Sequence, residues 1–202
     1  MRKSDIISHE APQEPQMYEE LAIIETALWL GLPAWIANAT PVLLGGGRPI
    51  DGGRYFRDGR RLLGDGKTVR GFIAGVLLGT ITGIVQTLAA PYVPPLMEQF
   101  VTVTPEIREV LFMGPYAGFL LSLGALTGDL VGSFVKRRAG LRSGGPAPVL
   151  DQLGFIVMAL IVAAPVVQPA PLIVGTLLIV TLLTHYVSNV AGYLMGYKKD
   201  PW

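Results

Sequence analysis

No cysteine occurs among the 202 residues, and only two histidines do. The first absence removes disulfides, thiolate nucleophiles and cysteine metal sites, while leaving the redox compartment open. The second leaves no metal-histidine grouping and no Ser–His–Asp arrangement. His9 lies in a polar N-terminal stretch, and His185 stands alone in an apolar run, where packing or hydrogen bonding is its usual role. Charge is scarce, at 15% of residues with a net of +1. The N-terminus lacks a basic segment followed by a cleavable apolar run, so no signal peptide is expected. Apolar residues, by contrast, are plentiful: half the chain is hydrophobic and the mean hydropathy is +0.48.

A bilayer core takes roughly 20 mostly apolar residues per helix. Five runs approach this, at about Leu21–Leu44, Phe72–Leu88, Val110–Leu126, Leu153–Val167 and Leu172–Met195. The fourth is short, and needs either Leu150 or a thinned bilayer to cross. The expected fold is an all-α integral membrane protein with five transmembrane helices. Residues 1–20 form a solvated extracytoplasmic tail, 21–197 one membrane domain, and 198–202 a cytoplasmic C-terminus. Two polar cytoplasmic loops fall at about 45–70 and 136–150. The orientation follows from the basic residues. Arg48, Arg54, Arg57, Arg60, Arg61, Lys67, Arg70, Lys136, Arg137, Arg138, Arg142, Lys198 and Lys199 share one side, against Arg2, Lys3 and Arg108 on the other. The positive-inside rule makes the first set cytoplasmic. That puts the N-terminus outside and the C-terminus inside, as an odd number of spans requires.

Glycines recur every four residues at Gly71, Gly75, Gly79 and Gly83, at Gly124, Gly128 and Gly132, and at Gly192 and Gly196. Small residues so spaced let membrane helices approach closely, and they read as packing.

The polar residues that could do chemistry gather in three places. The loop GGGRPIDGGRYFRDGRRLLGDGKTVR (45–70) combines eight glycines with many Arg and Lys side chains, which suits a polyphosphate. Asp51, Asp58 and Asp65 interleave with the bases at seven-residue intervals. Lys67 and Arg70 precede the second span, where a helix N-terminus favours an anion. The stretch is not a Walker A loop, because that pattern needs glycine where Arg61 stands and a preceding strand. In the third span, Asp129 sits among apolar and glycine residues, where an ionisable group is costly unless paired or metal-bound. Ser133 and Lys136 follow at i+4 and i+7 on the same helical face. A purely structural Asp129 pair with Lys136 or an arginine is the plain alternative. Asp151, at the mouth of span four, fits a helix N-terminal residue favoured by the dipole. With Asp129 it also forms a pair of hard oxygen ligands suited to Mg²⁺, which binds through one or two carboxylates plus substrate phosphates.

Two blocks of sequence resemble a known family. Asn38, Pro41, Pro49–Ile50–Asp51 and Gly64–Asp65–Gly66–Lys67–Thr68–Val69–Arg70–Gly71 form the first. Gly128–Asp129–Leu130–Val131–Gly132–Ser133–Phe134–Val135–Lys136–Arg137–Arg138 and Pro148–Val149–Leu150–Asp151–Gln152 form the second. Together, over about residues 36–155, they resemble archaeal CDP-archaeol synthase, the CTP:2,3-di-O-geranylgeranylglyceryl phosphate cytidylyltransferase. The later spans are similar to bacterial CDP-diacylglycerol synthase. The chain lacks that relative's extra N-terminal spans and the Ser-Pro pair before its lysine.

The resemblance implies a Mg²⁺-dependent attack of an isoprenoid ether-lipid phosphate on CTP. Asp129, Asp151, Lys67 and Lys136 would be catalytic, with Asp129 and Asp151 holding the metal. Asn38, Asp51, Asp65, Lys67, Thr68, Arg70, Ser133, Lys136 and Arg137 would bind substrates. The lipid phosphate is expected beside Lys136 and Arg137. A phosphate monoester has a second pKa near 6 and is already an anionic nucleophile, so no general base is required. The partners expected are CTP, the lipid phosphate and the bilayer, with no nucleic acid and a homodimer left open. A CDP-lipid phosphotransferase would need an Ala-Arg and a later Asp-x-x-x-Asp, which are missing. A transporter or scaffold with an intramembrane acid–base site is the remaining alternative.

Overall fold

The computed structural model describes residues 16–143 and 145–195, and every regular element among them is helical. The order is α1 (Gln16–Leu44), α2 (Val69–Ala89), a 3₁₀ turn (Ala90–Tyr92), α3 (Val93–Met97), α4 (Pro105–Leu111), α5 (Gly114–Arg138), α6 (Leu150–Ala163) and α7 (Pro171–Leu194). Helix α1 begins at Gln16, so the last residues of the polar stretch expected as a tail are already helical. Residues 1–15, the C-terminal 198–202 and Gly196 of the third glycine series lie outside the described residues.

Four stretches are long and apolar enough to cross a membrane: Tyr18–Leu44, Val69–Met97, Gly114–Arg138 and Pro171–Ala191. The third differs from the expected Val110–Leu126. Helix α4 ends at Leu111, and the chain restarts at Gly114, whose φ of 67° only glycine adopts easily, followed by Pro115 in the first turn. Hydropathy alone merged the two helices and stopped short of Asp129, although α5 runs on to Arg138.

The fourth expected run is α6, only 14 residues and about 21 Å long at 1.5 Å per residue. It lies antiparallel along α5 in a readable register. A methyl on Gly132 would face Leu150, one on Gly128 would lie 2.7 Å from the Gly154 carbonyl oxygen, and one on Gly124 would lie 2.7 Å from the Ala159 Cα. Each step of four residues towards the start of α5 is a step of four or five along α6. The turn that follows α6, with Val167 buried, therefore reaches the level of the α5 N-terminus.

Small residues hold α1, α2 and α5 together. On α2 the buried positions are Gly71, Gly75, Gly79, Gly83 and Gln86, while Ile73, Leu77, Ile81, Val85 and Leu88 face outward. This is the inverse of a water-soluble helix, and it suits a bilayer, where lipid supplies no drive to bury leucine. A Cβ on Gly83 would lie 2.7 Å from the Gly118 Cα of α5, and one on Gly75 2.7 Å from the Ala37 carbonyl oxygen of α1. At Gly79 it would collide with Ser122 Oγ. Gly132 differs from this series, since its nearest neighbour, Leu150 Cγ, would be 3.8 Å away.

Candidate active site

The 45–68 loop is folded, and a buried carboxylate holds it. Asp51, its side chain 1% exposed, accepts hydrogen bonds from the amides of Gly53 (3.0 Å), Leu63 (3.0 Å) and Gly64 (3.1 Å) and from Arg61 Nη2 (2.9 Å). Burial alone would raise its pKa. The Arg61 guanidinium and the three amides outweigh that and hold it well below the ordinary carboxylate range. Asp65 pairs with the same nitrogen, Arg61 Nη2, at 2.8 Å, and Asp58 pairs with Arg138 at 3.1 Å. The seven-residue spacing of the three aspartates thus serves to tie down arginines. Asp51 has no lone pair turned toward a cleft, and Asp65 is mostly exposed.

Two backbone hydrogen bonds close the loop onto the start of α2, Ile50 N to the Lys67 carbonyl oxygen (2.8 Å) and Val69 N to the Arg48 carbonyl oxygen (3.1 Å). Thr68 caps α2, its Oγ1 accepting from Gly71 N at 3.2 Å. The same closure aims Lys67 across to α5, where its Nζ lies 2.5 Å from Asp129 Oδ2. The partner of the intramembrane acid is therefore neither Lys136 nor an arginine but a lysine 62 residues earlier. Asp129 Oδ1 has no partner among the described residues. The pair lies in a narrow pocket whose other walls include Pro41, Ile50, Gly66, Thr68, Phe72 and Leu126.

Asp151 sits in the first turn of α6 and is occupied twice. Lys136 Nζ is 2.6 Å from Oδ1, and the Ala147 amide donates to Oδ2 at 2.9 Å, while the Asp151 amide returns a bond to the Ala147 carbonyl oxygen. This is a helix N-terminal carboxylate with a dipole and a lysine to stabilise it. Lys136 faces Asp151, whereas Arg137, about 100° further round the helix, turns to the 45–68 loop, its Nη1 near Gly64. Ser133 is buried. Arg70 is exposed on the first turn of α2, and Asn38 is half-buried on α1.

Sequence reasoning missed two anchors. Arg138 lies between Phe56 (4.8 Å to the ring centre) and Phe134 (4.9 Å), which themselves meet edge to face at 5.5 Å. Arg60 Nη1 donates to the last carbonyls of α5, those of Arg137 and Arg138. The basic run KRR and the lone aromatics were the available signal, but their pairing spans about 80 residues.

The donor set suits a hard divalent cation held partly by substrate. Asp129 offers a free carboxylate oxygen in a narrow pocket whose polar side chains are Lys67, Thr68 and Asp129 itself, and no three His, Asp or Glu side chains converge among the described residues. A cage made only of protein is thus absent there, while Mg²⁺ bound through one or two carboxylates plus phosphates fits. Asp151 would have to release Lys136 or the Ala147 amide to take part.

A family model described as CarS-like, CDP-archaeol synthase, matches residues 20–202. The chain is 52% identical over 182 residues to a CDP-archaeol synthase of Thermococcus kodakarensis, covering 90% of this chain and 98% of the relative. It is 51% identical over 176 residues to that of Thermococcus gammatolerans, covering 87% and 95%. A solved structure of an intramembrane enzyme for archaeal membrane lipid biosynthesis superposes with a TM-score of 0.67. It is 42% identical, covering 81% of this chain and 92% of that one.

Proposed function

The chain belongs to the CDP-archaeol synthase family, and on that premise we propose how the polar cluster at one end of its bundle carries out the reaction. It is a CTP-dependent lipid-phosphate cytidylyltransferase of archaeal phospholipid synthesis. CMP passes from CTP to 2,3-di-O-geranylgeranylglyceryl phosphate, giving CDP-archaeol and pyrophosphate. An oxygen of the lipid phosphate forms a bond to the α-phosphorus. The bond from that phosphorus to the bridging oxygen breaks, and its electron pair leaves with pyrophosphate.

The observation that carries this reading is the Lys67–Asp129 pair, a cation and a carboxylate with one oxygen free, between the polar loop and the α5 helix. The nucleophile is already an anion, so the protein's task is positioning and charge neutralisation. Lys67 has further N–H bonds beyond the one on Asp129, and these reach for phosphate oxygens entering the pocket. Asp129, with Asp151 as a second donor once Lys136 turns away, would hold Mg²⁺. The ion supplies Lewis-acid neutralisation of phosphate charge when bound. Lys136, once it leaves Asp151, would meet the lipid phosphate, its long stem able to carry the charge toward headgroup level. The Asp51 network acts through Lys67, fixing where the loop ends.

The basic end faces the cytoplasm by its excess of Lys and Arg. Helix α6 with its following turn makes the fifth crossing, which the register along α5 supports. A crossing there returns α7 toward the basic end and keeps the parity of five.

The direct test is release of pyrophosphate by the purified protein given CTP and the lipid phosphate. Asp129→Asn keeps the shape and removes the anion. It should leave a folded protein whose turnover falls by orders of magnitude, with an altered Mg²⁺ response. Wild-type turnover in a folded Asp129→Asn protein would exclude the carboxylate from the mechanism.

A further inference from the structure

Among the described residues, Val149 alone has a positive φ without being glycine. Its φ is 67° and its ψ −52°, and the Leu150 amide donates across it to the Pro148 carbonyl oxygen at 2.8 Å. This is the positive-φ form of the γ-turn, the rare and strained one of the two. For a β-branched residue the backbone here is costlier still. Core packing does not demand it, because the side chain is 60% exposed. The turn stands two residues before Asp151.

The strain has an identifiable cause. Asp151 and Ala147 are tied twice: the Asp151 amide donates to the Ala147 carbonyl oxygen at 2.9 Å, and the Ala147 amide donates to Asp151 Oδ2 at 2.9 Å. The ring so closed has to bend between its two ends. Leu150 already belongs to α6. Pro148 has its φ fixed near −65° by its ring, and Ala147, preceding a proline, is biased to extended backbone. The bend therefore falls on Val149. Strain and the grip on the Asp151 carboxylate are coupled. When Oδ2 leaves the Ala147 amide, one of the two ties is gone and Val149 can return to a negative φ.

We propose that Val149 is a positioning residue for Asp151, its strained turn offsetting the cost of taking the carboxylate off Ala147 and Lys136 so that it can pass to Mg²⁺ held with the nucleotide phosphates. The inference rests on the reading of Asp151 as the second metal donor. The two contacts to be given up are short, 2.6 Å from Lys136 Nζ and 2.9 Å from the Ala147 amide. Without compensation they would keep the carboxylate at the end of α6. The same movement releases Lys136, so relaxation of one backbone position makes both the carboxylate and the lysine available.

The test is Val149→Gly in the full chain, which removes the strain together with an exposed side chain. Strain of this kind weights a conformational equilibrium about 5- to 150-fold, and glycine's looser backbone gives back about two- to fivefold. Hydrogen exchange at the Ala147 amide is compared with and without Mg²⁺ and CTP, no lipid phosphate being added. In the wild type Mg²⁺ with CTP should speed it. In Val149→Gly that acceleration should be smaller by about threefold or more. The Mg²⁺ concentration that half-saturates turnover should rise by a similar factor, and the melting temperature should not fall. Val149→Ala keeps a Cβ at positive φ, so it should stand nearer the wild type on both readouts. A turn with a purely structural part gives a higher melting temperature in Val149→Gly with exchange and Mg²⁺ dependence unchanged, and that result overturns the proposal. So does a wild-type Ala147 amide that stays protected with Mg²⁺ and CTP. Absence of pyrophosphate release from CTP by the wild type would instead strike the cytidylyltransferase reading itself.

Discussion

Asp51→Asn is the substitution that separates a residue that shapes the loop from one that touches substrate. The change swaps one acceptor oxygen for an NH₂ group. With the remaining oxygen facing Gly53 N and Arg61, the NH₂ meets the Leu63 and Gly64 amides, donor against donor. Each orphaned buried donor costs about 1–3 kcal/mol, so two come to roughly 2–6 kcal/mol, and the weakened Arg61 bond adds to that. The loss falls on a loop outside the helix bundle. The expected result is faster tryptic cleavage at Arg54, Arg57 and Arg60 and faster amide exchange at Gly53, Leu63 and Gly64, with a nearly unchanged melting temperature. Turnover should fall because Lys67 leaves its register.

The pH dependence has a definite sign. The Asp51 pKa in the folded loop lies well below its ordinary value of 3.8, so its stabilisation is fully present above about pH 4. It is lost as the pH falls further, through the depressed folded value. Wild-type loop protection should hold from neutral pH down to about 4 and decline below it, and that decline should vanish in Asp51→Asn. If the variant's loop is protected like the wild type while its KM for CTP rises, the carboxylate touches the nucleotide and the structural argument fails.

Other outcomes follow from the same geometry. Lys67→Ala removes a charge-assisted contact worth about 1.5–3 kcal/mol, so turnover should fall about 10- to 150-fold, and normal kinetics would return the lysine to a structural partner of Asp129. Gly79→Ala drives a methyl into Ser122 Oγ and to 2.7 Å from the Pro33 carbonyl oxygen. It should lower stability by about 1–3 kcal/mol, read as a lower melting temperature in detergent, whereas Gly175→Ala, with open space around it, should not. In this chain without cysteine, a cysteine at Arg57 should label only from the cytoplasmic face and one at Arg108 only from outside. Labelling of position 57 from outside sealed cells would invert the topology. Lys136→Ala should raise the apparent KM for lipid phosphate more than that for CTP.

The helical class, the glycine packing and the grouping of bases on one side were legible because each is a local pattern. Apolar runs of bilayer length and four-residue glycine spacing need no knowledge of distant contacts. The end of α4 at Leu111 was hidden because Leu111–Gly114 stays apolar enough to read as one span. Asp129 was conspicuous for its setting, but its lysine was not, since nothing in a sequence says which of many bases crosses to it. The three aspartates of the loop were read as parts of a phosphate site. Their spacing places them beside arginines instead, and only closure of the loop shows that Asp51 spends all its lone pairs internally. Thr68, likewise, carried both a cap signal and a binding-loop signal, and its hydroxyl answers to Gly71 N.

At Gly79 and Gly83 the seam between α2 and its neighbours brings backbone against backbone or a single serine side chain. A contact of this kind has almost no rotamers to populate, so warming gives it little to melt. Lys67 at the head of α2 and Asp129 near the foot of α5 stand on the two sides of that seam, with no covalent tie closer than 62 residues. Their separation is consequently set by something like a dry stone joint, and it should drift less with temperature than a separation maintained by interlocked leucines. In an enzyme whose chemistry is mainly placement, the glycines in mid-membrane thus act as the gauge block for the polar end.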